Sequence, residues 1–456
     1  MCRRDSDGAK VRHTMADNGK PLRILHVSAL NLWTMKGNAG MCCLHETLRG
    51  HLRAGFSVTL ILPRYNLFNT DPAPLPIVED NEFDVHVAAC SWLPAMKTVW
   101  SLIGLLDHWP NLVRLCHWMT GWFTWGLLTV SMLLAAMRLR YRGKRRFDLV
   151  YAHCEYAAPA GYLIGLLWRI PNVTRLYGTF LADLMRKPLV GLRYPIAAGG
   201  FLVPHHLLIC ANDGTRGDEV ARRLGLDLGR FRFWQDGADR SPAAAAGGRE
   251  EILARAPAGL RADHTWVLSC SRLSYWKRVD RILRAIAIAR QRGCPCQALI
   301  AGDGPEKQRL LGLAAQWRLD GGVVWLGPVP HEEIWHLMHA ADIFIIANDV
   351  TNRCNPLFEA IRAGLPVVSV RDPSTADLLV HGENALLAQP DDGTELGECL
   401  VRLCEDPLLA AQMRQAQRSR EALLWTWQER MDVESGELRR LLETCSPTAC
   451  QPGGCW

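Results

Sequence analysis

Short apolar runs alternate with longer segments of mixed polarity along most of the chain. Runs that are apolar on both faces are typical of buried parallel strands, and the amphipathic segments between them are typical of helices. In the first half the runs are Leu22–Ser28, Ser57–Leu62, Val85–Val87, Phe147–His153, Asn172–Tyr177, Leu207–Cys210 and Phe231–Trp234. In the second half they are Thr265–Cys270, Gln297–Ala301, Val323–Gly327, Asp342–Ile346, Leu365–Val370 and Asn384–Leu387. This pattern predicts an α/β fold built on parallel sheets.

The alternation pauses near residue 240 and then begins again. Residues 241–248 (SPAAAAGG) have the composition of a linker, and 456 residues exceed one ordinary core. We therefore predict two doubly wound, Rossmann-like domains. The predicted parts are a disordered N-terminus (1–20), a first domain (21–240), a linker (241–261), a second domain (262–410), C-terminal helices (411–445) and a loose tail (446–456).

One segment of the first domain, residues 95–146, departs from the alternation. From Leu115 to Met137 it has no Asp, Glu, Lys or Arg. This uncharged run is long enough for a membrane helix. A single crossing would separate strands that belong to one sheet, so an even number of passes, an interfacial or re-entrant helix, or a buried helix remain. A basic run follows, consisting of Arg138, Arg140, Arg142, Lys144, Arg145 and Arg146. Such a run beside an aromatic-rich apolar helix favours docking on an anionic membrane face.

Composition narrows the class of protein and its compartment. The net charge of +6 fits anionic substrates or an anionic membrane surface, and no nucleic-acid motif is present in the sequence. The 16 cysteines are mostly scattered singly, which indicates a reducing compartment. The N-terminus is polar and charged, unlike a secretion signal. We expect a cytoplasmic protein that is peripheral at the inner face of the cell membrane.

The most informative stretch is residues 347–372, which we interpret as loop, helix and strand after a buried strand. Pro356 suits a first helical turn, and Gly364 suits the left-handed position at the helix end. The loop and helix N-terminus lie where such sheets bind ligands, at the carboxyl ends of the strands. A helix N-terminus favours a phosphate, so we expect a phosphate-bearing ligand here.

Residues 355–360 (NPLFEA) and 364–368 (GLPVV) resemble the donor-site signature of retaining glycosyltransferases of family 4. The resemblance implies the GT-B fold, with the two domains facing a central cleft, an acceptor-side first domain and a nucleotide-sugar-binding second domain. It also implies that the C-terminal helices cross back to the first domain. Glu359 would hold the ribose of a sugar nucleotide. The backbone around Asn355, Pro356 and Leu357 would meet the diphosphate or sugar. The common pattern has a second Glu where this chain has Thr351.

Arg272 and Lys277 lie across a predicted strand-to-helix loop, so both can reach one anion. They resemble the family element that grips the donor diphosphate, and fixed cations would stabilise charge on a leaving phosphate. The turn with Gly302 and Gly304 resembles the family's Gly-x-Gly turn near the nucleotide. Val329 would lie against the base.

Two further groups of residues are predicted to line the cleft. A Gly-containing loop follows the first strand, with Gly37, Asn38, Ala39 and Gly40, and is expected beside the donor phosphates and sugar; it lacks the GxGxxG spacing of dinucleotide sites. The acceptor side is expected to hold His153, Tyr177, Gly178 and Thr179. A neutral His153 could accept a proton from a sugar hydroxyl, although a lone histidine at a strand end is more often structural.

The sequence therefore predicts a glycosyltransferase that moves a sugar from a nucleotide-diphosphate sugar to an acceptor hydroxyl with retention, in cell-envelope polysaccharide or glycolipid synthesis. The acceptor would be a sugar or a lipid-linked glycan. No carboxylate pair and no Asp-x-Asp element are evident in the cleft motifs, so we expect no cofactor and no obligatory metal. Three alternatives remain: a catalytically silent nucleotide-sugar-binding or scaffold protein, a sugar-nucleotide epimerase, and a nicotinamide oxidoreductase.

Overall fold

Two parallel sheets, each covered by helices on both faces, carry the described strands of this computed structural model. The structure describes residues 21–30, 42–65, 83–88, 90–104, 108–185, 189–238, 248–255 and 259–445. The predicted disordered N-terminus, the glycine loop at 37–40 and the predicted tail lie outside these residues.

The first domain contains one sheet and the helices between its strands. Its elements are β1 Arg23–Ser28, α1 Cys42–Arg53, β2 Ser57–Pro63, β3 Asp84–Ala88, α2 Leu93–Gly104, α3 Pro110–Met137, β4 Leu149–His153, α4 Cys154–Trp168, β5 Asn172–Leu176, α5 Val190–Arg193, α6 Pro195–Leu202, β6 Leu207–Ala211, α7 Gly217–Arg223 and β7 Phe231–Trp234. The strand order is β3-β2-β1-β4-β5-β6-β7, and every pair is parallel.

The second domain repeats the plan and then returns to the first. Its elements are α8 Gly248–Arg255, β8 Thr265–Cys270, α9 Val279–Gln291, β9 Cys296–Ala301, α10 Lys307–Gln316, β10 Val323–Gly327, α11 His331–Ala340, β11 Ile343–Ile346, α12 Asn355–Arg362, β12 Val367–Val370, β13 Ala385–Ala388, α13 Thr394–Glu405, α14 Pro407–Glu421 and α15 Trp427–Thr444. The strand order is β10-β9-β8-β11-β12-β13. The helix α8 occupies part of the interval predicted as a linker, and its Ile252 and Leu253 pack on the second-domain core.

The strand orders fix where ligands can bind. The order reverses between β1 and β4 in the first sheet and between β8 and β11 in the second. Crevices open at such points beside the carboxyl ends of the strands. Central strands such as β4 and β8 are almost fully buried, because helices cover both of their faces, and this explains their continuous apolar sequences.

The apolar segment 115–137 lies within α3, which continues into a short π-helical turn at Arg138–Arg142. The C-terminal half of α3 is packed into the domain, with Leu128, Met132 and Ala136 fully buried. Its N-terminal half is largely exposed. Among the described residues, α3 with its continuation is the one helix whose length and composition would allow it to span a membrane. Half of its most apolar 18-residue stretch is buried inside the protein.

The C-terminal helices connect the two domains. The helix α14 packs on α12, whereas α15 packs on α1 of the first domain. At the crossing, the Ala238 N–H donates to the Trp425 carbonyl at 2.9 Å. Gly237 is required by close approach, since a Cβ there would lie 2.5 Å from the Trp427 Cα. Two chain segments therefore cross between the domains side by side.

Glu434 of α15 is fully buried against the first domain. Its carboxylate lies 2.8 Å from Arg430 Nη1 and 3.5 Å from Arg175 Nη1, and it accepts the Tyr151 hydroxyl at 2.7 Å. Burial alone would raise the pKa of Glu434, but Arg430 and Arg175 outweigh burial and hold this pKa well below its usual range. Arg175 is also paired with Asp236, next to the crossing, at 2.6 Å.

A chain of buried histidines runs from Glu434 to the end of β5. His51 Nε2 lies 3.2 Å from Glu434, His51 Nδ1 3.3 Å from His26 Nε2, and His26 Nδ1 2.9 Å from His153 Nε2. An ionised carboxylate only accepts hydrogen bonds, so the nearby Glu434 favours a proton on the His51 nitrogen that faces it, Nε2. The same reasoning places the protons of His26 and His153 on Nε2. His153 Nδ1 then accepts the hydroxyl proton of Tyr177 at 2.8 Å.

Glu434→Gln is expected to destabilise the protein by about 3 kcal/mol, since removal of one partner leaves buried charge uncompensated at Arg430 and Arg175. Urea unfolding at neutral pH measures the change. Glu443→Gln is the matched control, because Glu443 is exposed near the end of the same helix. If Glu434→Gln lowers the free energy of unfolding no more than Glu443→Gln does, the stabilising role assigned to the buried Glu434 is contradicted.

Acidification below about pH 6.5 is expected to lower the free energy of unfolding. Burial, together with positive charge on its neighbours, lowers the pKa of both His26 and His153 well below the ordinary value. The unfolded chain therefore takes up protons at these sites first, and stability present above pH 6.5 is lost as the pH falls towards the folded-state pKa. The loss approaches about 1.4 kcal/mol per pH unit for each histidine.

Urea unfolding at pH 7.5, 6.5 and 5.5 measures this dependence on pH. His153→Gln should make the dependence shallower, because one of the two sites of proton uptake is removed. A free energy of unfolding that is constant between pH 7.5 and 5.5 in the unsubstituted protein would show that these histidines do not resist protonation.

Candidate functional site

The loop after β8 places two cations at the crevice of the second domain. Arg272 is exposed in the loop after β8, and Lys277 ends a short 3-10 turn in the same loop. Burial lowers the pKa of Lys277, opposed by Cys354 and by Asp213 of the first domain. Lys277 Nζ lies 3.9 Å from the Trp276 ring centroid. Neither cation forms an ion pair within the described part of the chain, whereas their neighbours Arg278 and Arg281 both pair with Asp349.

The two glycines predicted to bind the donor have a packing role in this structure. A Cβ on Gly302 would collide with the Ser271 carbonyl, and a Cβ on Gly304 with the Leu273 carbonyl. The Leu273 N–H donates to the Asp303 carbonyl at 2.9 Å. The turn after β9 thus supports the loop that carries Arg272, and this explains the two glycines without a ligand.

The helix α12 begins in the same crevice, directly after Cys354. Pro356 occupies its first turn, and Gly364 follows its end with a left-handed φ of 75°, as the sequence predicts. Leu357 corrects one expectation, since its side chain is fully buried in the core and its N–H donates to the Cys354 carbonyl at 3.0 Å. The Asn355 side chain lies 3.7 Å from Cys43 Sγ of α1, so the first domain closes over this helix end.

Glu359 projects from α12 and is only 6% exposed. Its carboxylate accepts a hydrogen bond from His331 Nε2 at 2.8 Å. His331 begins α11 and is half exposed, so the pair extends from the interior to the surface of the crevice. Sequence reasoning missed His331, because its position at a helix start carries no signal of contact with a residue 28 positions away. Val329 packs against the second-domain core beside this pair.

Thr351, which stands where the family pattern has a carboxylate, joins the two domains. Its hydroxyl donates to the Asp213 carbonyl of the first domain at 2.8 Å and lies 3.0 Å from Ser374 Oγ. A Cβ on Gly214 would collide with the Thr351 hydroxyl. Burial raises the pKa of Asp213 to about 6. The Asp213–Gly214 turn, interpreted from the sequence only as a helix start, is thus part of the domain interface.

The acceptor-side residues meet at the carboxyl ends of β4 and β5, but they differ in exposure. His153 is fully buried and both of its ring nitrogens are hydrogen bonded. The predicted contact between His153 and a sugar hydroxyl is therefore wrong for this structure, and Tyr177, which is partly exposed, ends the chain instead. Gly178 is packed against Asp213 with a φ of 105°, and the Thr179 N–H donates to Thr215 Oγ1 at 2.8 Å.

The arrangement provides two unpaired cations and a helix N-terminus around one crevice, closed on the other side by the first domain. Such a crevice suits a polyanion, because the cations and the helix dipole favour negative charge at the same place. Within the described residues, no cluster of three or more His, Cys, Asp or Glu is arranged to hold a metal ion.

Comparison with known proteins agrees with this geometry. Residues 251–420 match the family described as glycosyl transferases group 1. The chain is 23% identical over 302 residues to a glycogen synthase of Mycobacterium tuberculosis, covering 65% of this chain and 70% of that protein. It is 30% identical to the amylovoran biosynthesis glycosyltransferase AmsK of Erwinia amylovora over 145 residues. These residues are 30% of this chain and 36% of that protein.

Solved structures share the whole architecture. HepE of Anabaena in complex with UDP superposes with a TM-score of 0.63 at 18% identity, covering 93% of this chain and all of that chain. The sucrose-phosphate synthase of Thermosynechococcus elongatus gives a TM-score of 0.69 at 17% identity, with the same coverage. The two domains therefore form a GT-B fold, and residues 251–420 match the glycosyltransferase group 1 family.

Proposed function

We propose that this protein transfers a glycosyl group from a nucleotide-diphosphate sugar to an acceptor hydroxyl with retention of configuration, as its resemblance to family 4 implies. The observation that carries the proposal is the pair of unpaired cations, Arg272 and Lys277, in the crevice where α12 begins. The partial burial that lowers the pKa of Lys277 also strengthens its attraction for an anion. HepE has been solved with UDP and with UDP-glucose, which supports a uridine nucleotide as the first donor to test.

In the proposed step, the bond between the sugar carbon and the diphosphate oxygen breaks, and the bond to the acceptor oxygen forms on the same face. The acceptor proton passes to the departing phosphate oxygen, so no protein base is needed. Arg272 and Lys277 stabilise the negative charge that develops on the diphosphate. Because both cations already lie in the crevice of the free protein, they need not move when the charge develops in the transition state.

Two other groups are assigned positioning roles. We assign Glu359 to the ribose hydroxyls of the donor, with His331 holding its carboxylate. With His153 protonated on Nε2, the Tyr177 hydroxyl donates a hydrogen bond to His153 Nδ1, so its oxygen is left to accept a hydrogen bond on the cleft side. A catalytically silent binding protein is the second candidate, because Thr351 stands where the family pattern has a carboxylate. The hydrogen bond of Thr351 to Asp213 gives a structural explanation for threonine at this position.

Arg272→Ala and Lys277→Ala are each expected to reduce turnover by about 10²- to 10³-fold, the usual effect of removing one electrostatic donor. Release of UDP from UDP-glucose, with and without a sugar acceptor, measures turnover. Arg292→Ala is the matched control, since Arg292 lies at the opposite end of α9 and pairs with Glu398 on the surface.

Normal turnover in both crevice variants would overturn the assignment of these cations. A protein that binds UDP-glucose, shown by an increase in melting temperature, but never releases UDP would instead be a binding protein. Free rearranged nucleotide sugar in the absence of an acceptor would indicate an epimerase.

We further propose that the protein works at the cytoplasmic face of a membrane, in cell-envelope polysaccharide or glycolipid synthesis. The exposed N-terminal half of α3 and the exposed basic residues Arg142, Lys144 and Arg146 support contact with anionic lipid.

Replacing Arg142, Lys144 and Arg146 with Gln should weaken sedimentation with phosphatidylglycerol vesicles by about 100-fold, since each basic residue contributes about 1 kcal/mol at an anionic surface. Neutral phosphatidylcholine vesicles are the control and should bind both proteins equally. Unchanged sedimentation at low salt would identify the basic run as an ordinary solvated end of a helix.

A further inference from the structure

An open groove of about 730 Å³ lies in the first domain between the N-terminal half of α3 and the helices α5 and α6. Its walls are mainly apolar, with Leu115, Trp118 and Trp122 on one side and Tyr194 and Ile196 on the other. The Trp118 indole N–H donates to the Leu192 carbonyl at 2.8 Å, which fixes the two walls relative to each other. The groove is therefore a formed feature of the domain.

The groove continues onto an exposed apolar surface. Met119 and Phe123 of α3, and Leu189 and Leu192 beside α5, are each more than half exposed. Exposed apolar side chains on the segments that line a groove mark a site of contact with lipid, protein or ligand. The outer end of the groove is thus open to an apolar chain.

The inner end of the groove lies next to the carboxyl ends of β4 and β5. Glu155 and Tyr156 line it and follow His153 directly at the carboxyl end of β4. Phe180, on the same lining, follows Thr179 after β5. These two strand ends are where Tyr177 faces the cleft, so a ligand in the groove would present its inner end to the reaction centre.

Glu155 carries the chemistry of the inner end. Its backbone carbonyl accepts the Trp125 indole N–H at 3.3 Å, and its side chain, which is partly exposed, forms no ion pair with another described residue. Burial raises the pKa of Glu155. A partly exposed carboxylate on the lining of a groove can accept hydrogen bonds from a ligand, and a hydroxyl group is a neutral donor that would supply one.

The charges on the walls select the rest of the ligand. Arg114 and Arg193 line the groove on opposite walls, and Arg193 lies 6.0 Å from the Tyr194 ring centroid. Two guanidinium groups beside an apolar channel favour an anion such as a phosphate monoester or diester. The lining therefore combines an apolar channel, a site for an anion and an acceptor of hydroxyl hydrogen bonds.

We propose that this groove binds the acceptor substrate, and that the acceptor is an amphiphile with an apolar chain, a phosphate and a hydroxyl-bearing head. The chain lies between α3 and α6, the phosphate contacts Arg114 and Arg193, and the hydroxyl-bearing head contacts Glu155 and enters the cleft. The proposal rests on the proposed glycosyl transfer, of which it specifies the acceptor.

Titration calorimetry with decyl phosphate, below its micelle concentration, tests the groove. Saturable binding of one molecule is expected, and shortening the chain by two carbons should weaken it about tenfold. Gly121→Leu should weaken binding at least tenfold, because a Cβ there lies 3.8 Å from Ile196 Cδ1 and the rest of the side chain enters the groove. Gly126→Leu is the matched control on the same helix, since a Cβ at position 126 contacts nothing within 4 Å.

Glu155→Gln should weaken binding of decyl glucoside, whose head supplies hydroxyls, while leaving decyl phosphate binding intact. No saturable binding, or equal losses at positions 121 and 126, would overturn the groove and leave only adsorption to an apolar surface. UDP binding, followed by melting temperature, should be the same in all four proteins. If the unsubstituted protein binds neither UDP nor GDP, the proposed function is refuted while the groove result stands.

Discussion

The structure depends on the burial of one carboxylate, Glu434, against the first domain. The C-terminal helix that carries it has crossed over from the second domain, and its contacts with Arg175 and Tyr151 hold that helix on the first domain. A buried charge is stable only with its partners in place. The same carboxylate stands at one end of a chain of three buried histidines, and Tyr177 in the cleft stands at the other end. The contact of α15 with the first domain and the acceptor side of the cleft are therefore parts of one connected polar network.

The cleft itself is made by loops at the carboxyl ends of two parallel sheets. The second domain supplies cations and a helix N-terminus, and the first domain supplies the Asp213–Gly214 turn that contacts Thr351. Glycines at these loops are explained by close backbone approach, as at Gly302 and Gly304. The division of work follows from the fold, because charged groups for an anion come from one sheet edge and the acceptor-side groups come from the other.

Much of the fold was predictable from the sequence, because continuous apolar runs are a strong signal of buried parallel strands. The predicted strands Ser57–Leu62 and Thr265–Cys270 agree with β2 and β8 to within one residue at each end. The GT-B arrangement came from the family motif, since no periodicity indicates how two sheets face each other. Arg272, Lys277 and Glu359 were predicted as site residues from the same family resemblance.

Other features depend on contacts between residues far apart in the chain. The burial of His153 follows from its bond to His26, 127 positions away, and no local pattern reveals it. The partner of Glu359 and the role of Thr351 were hidden for the same reason. The helix α3 was ambiguous because an apolar helix pattern is the same in a core, a groove wall or a membrane.

Hydrogen–deuterium exchange in the presence of UDP tests the central claim most directly, namely that the crevice of the second domain holds the donor diphosphate. The account predicts slower exchange in peptides covering residues 271–278 and 354–360, with no comparable change in α3. GDP under the same conditions serves to identify the preferred base. If neither nucleotide protects either segment, or if protection appears only in the first domain, the donor site is not where the two cations lie.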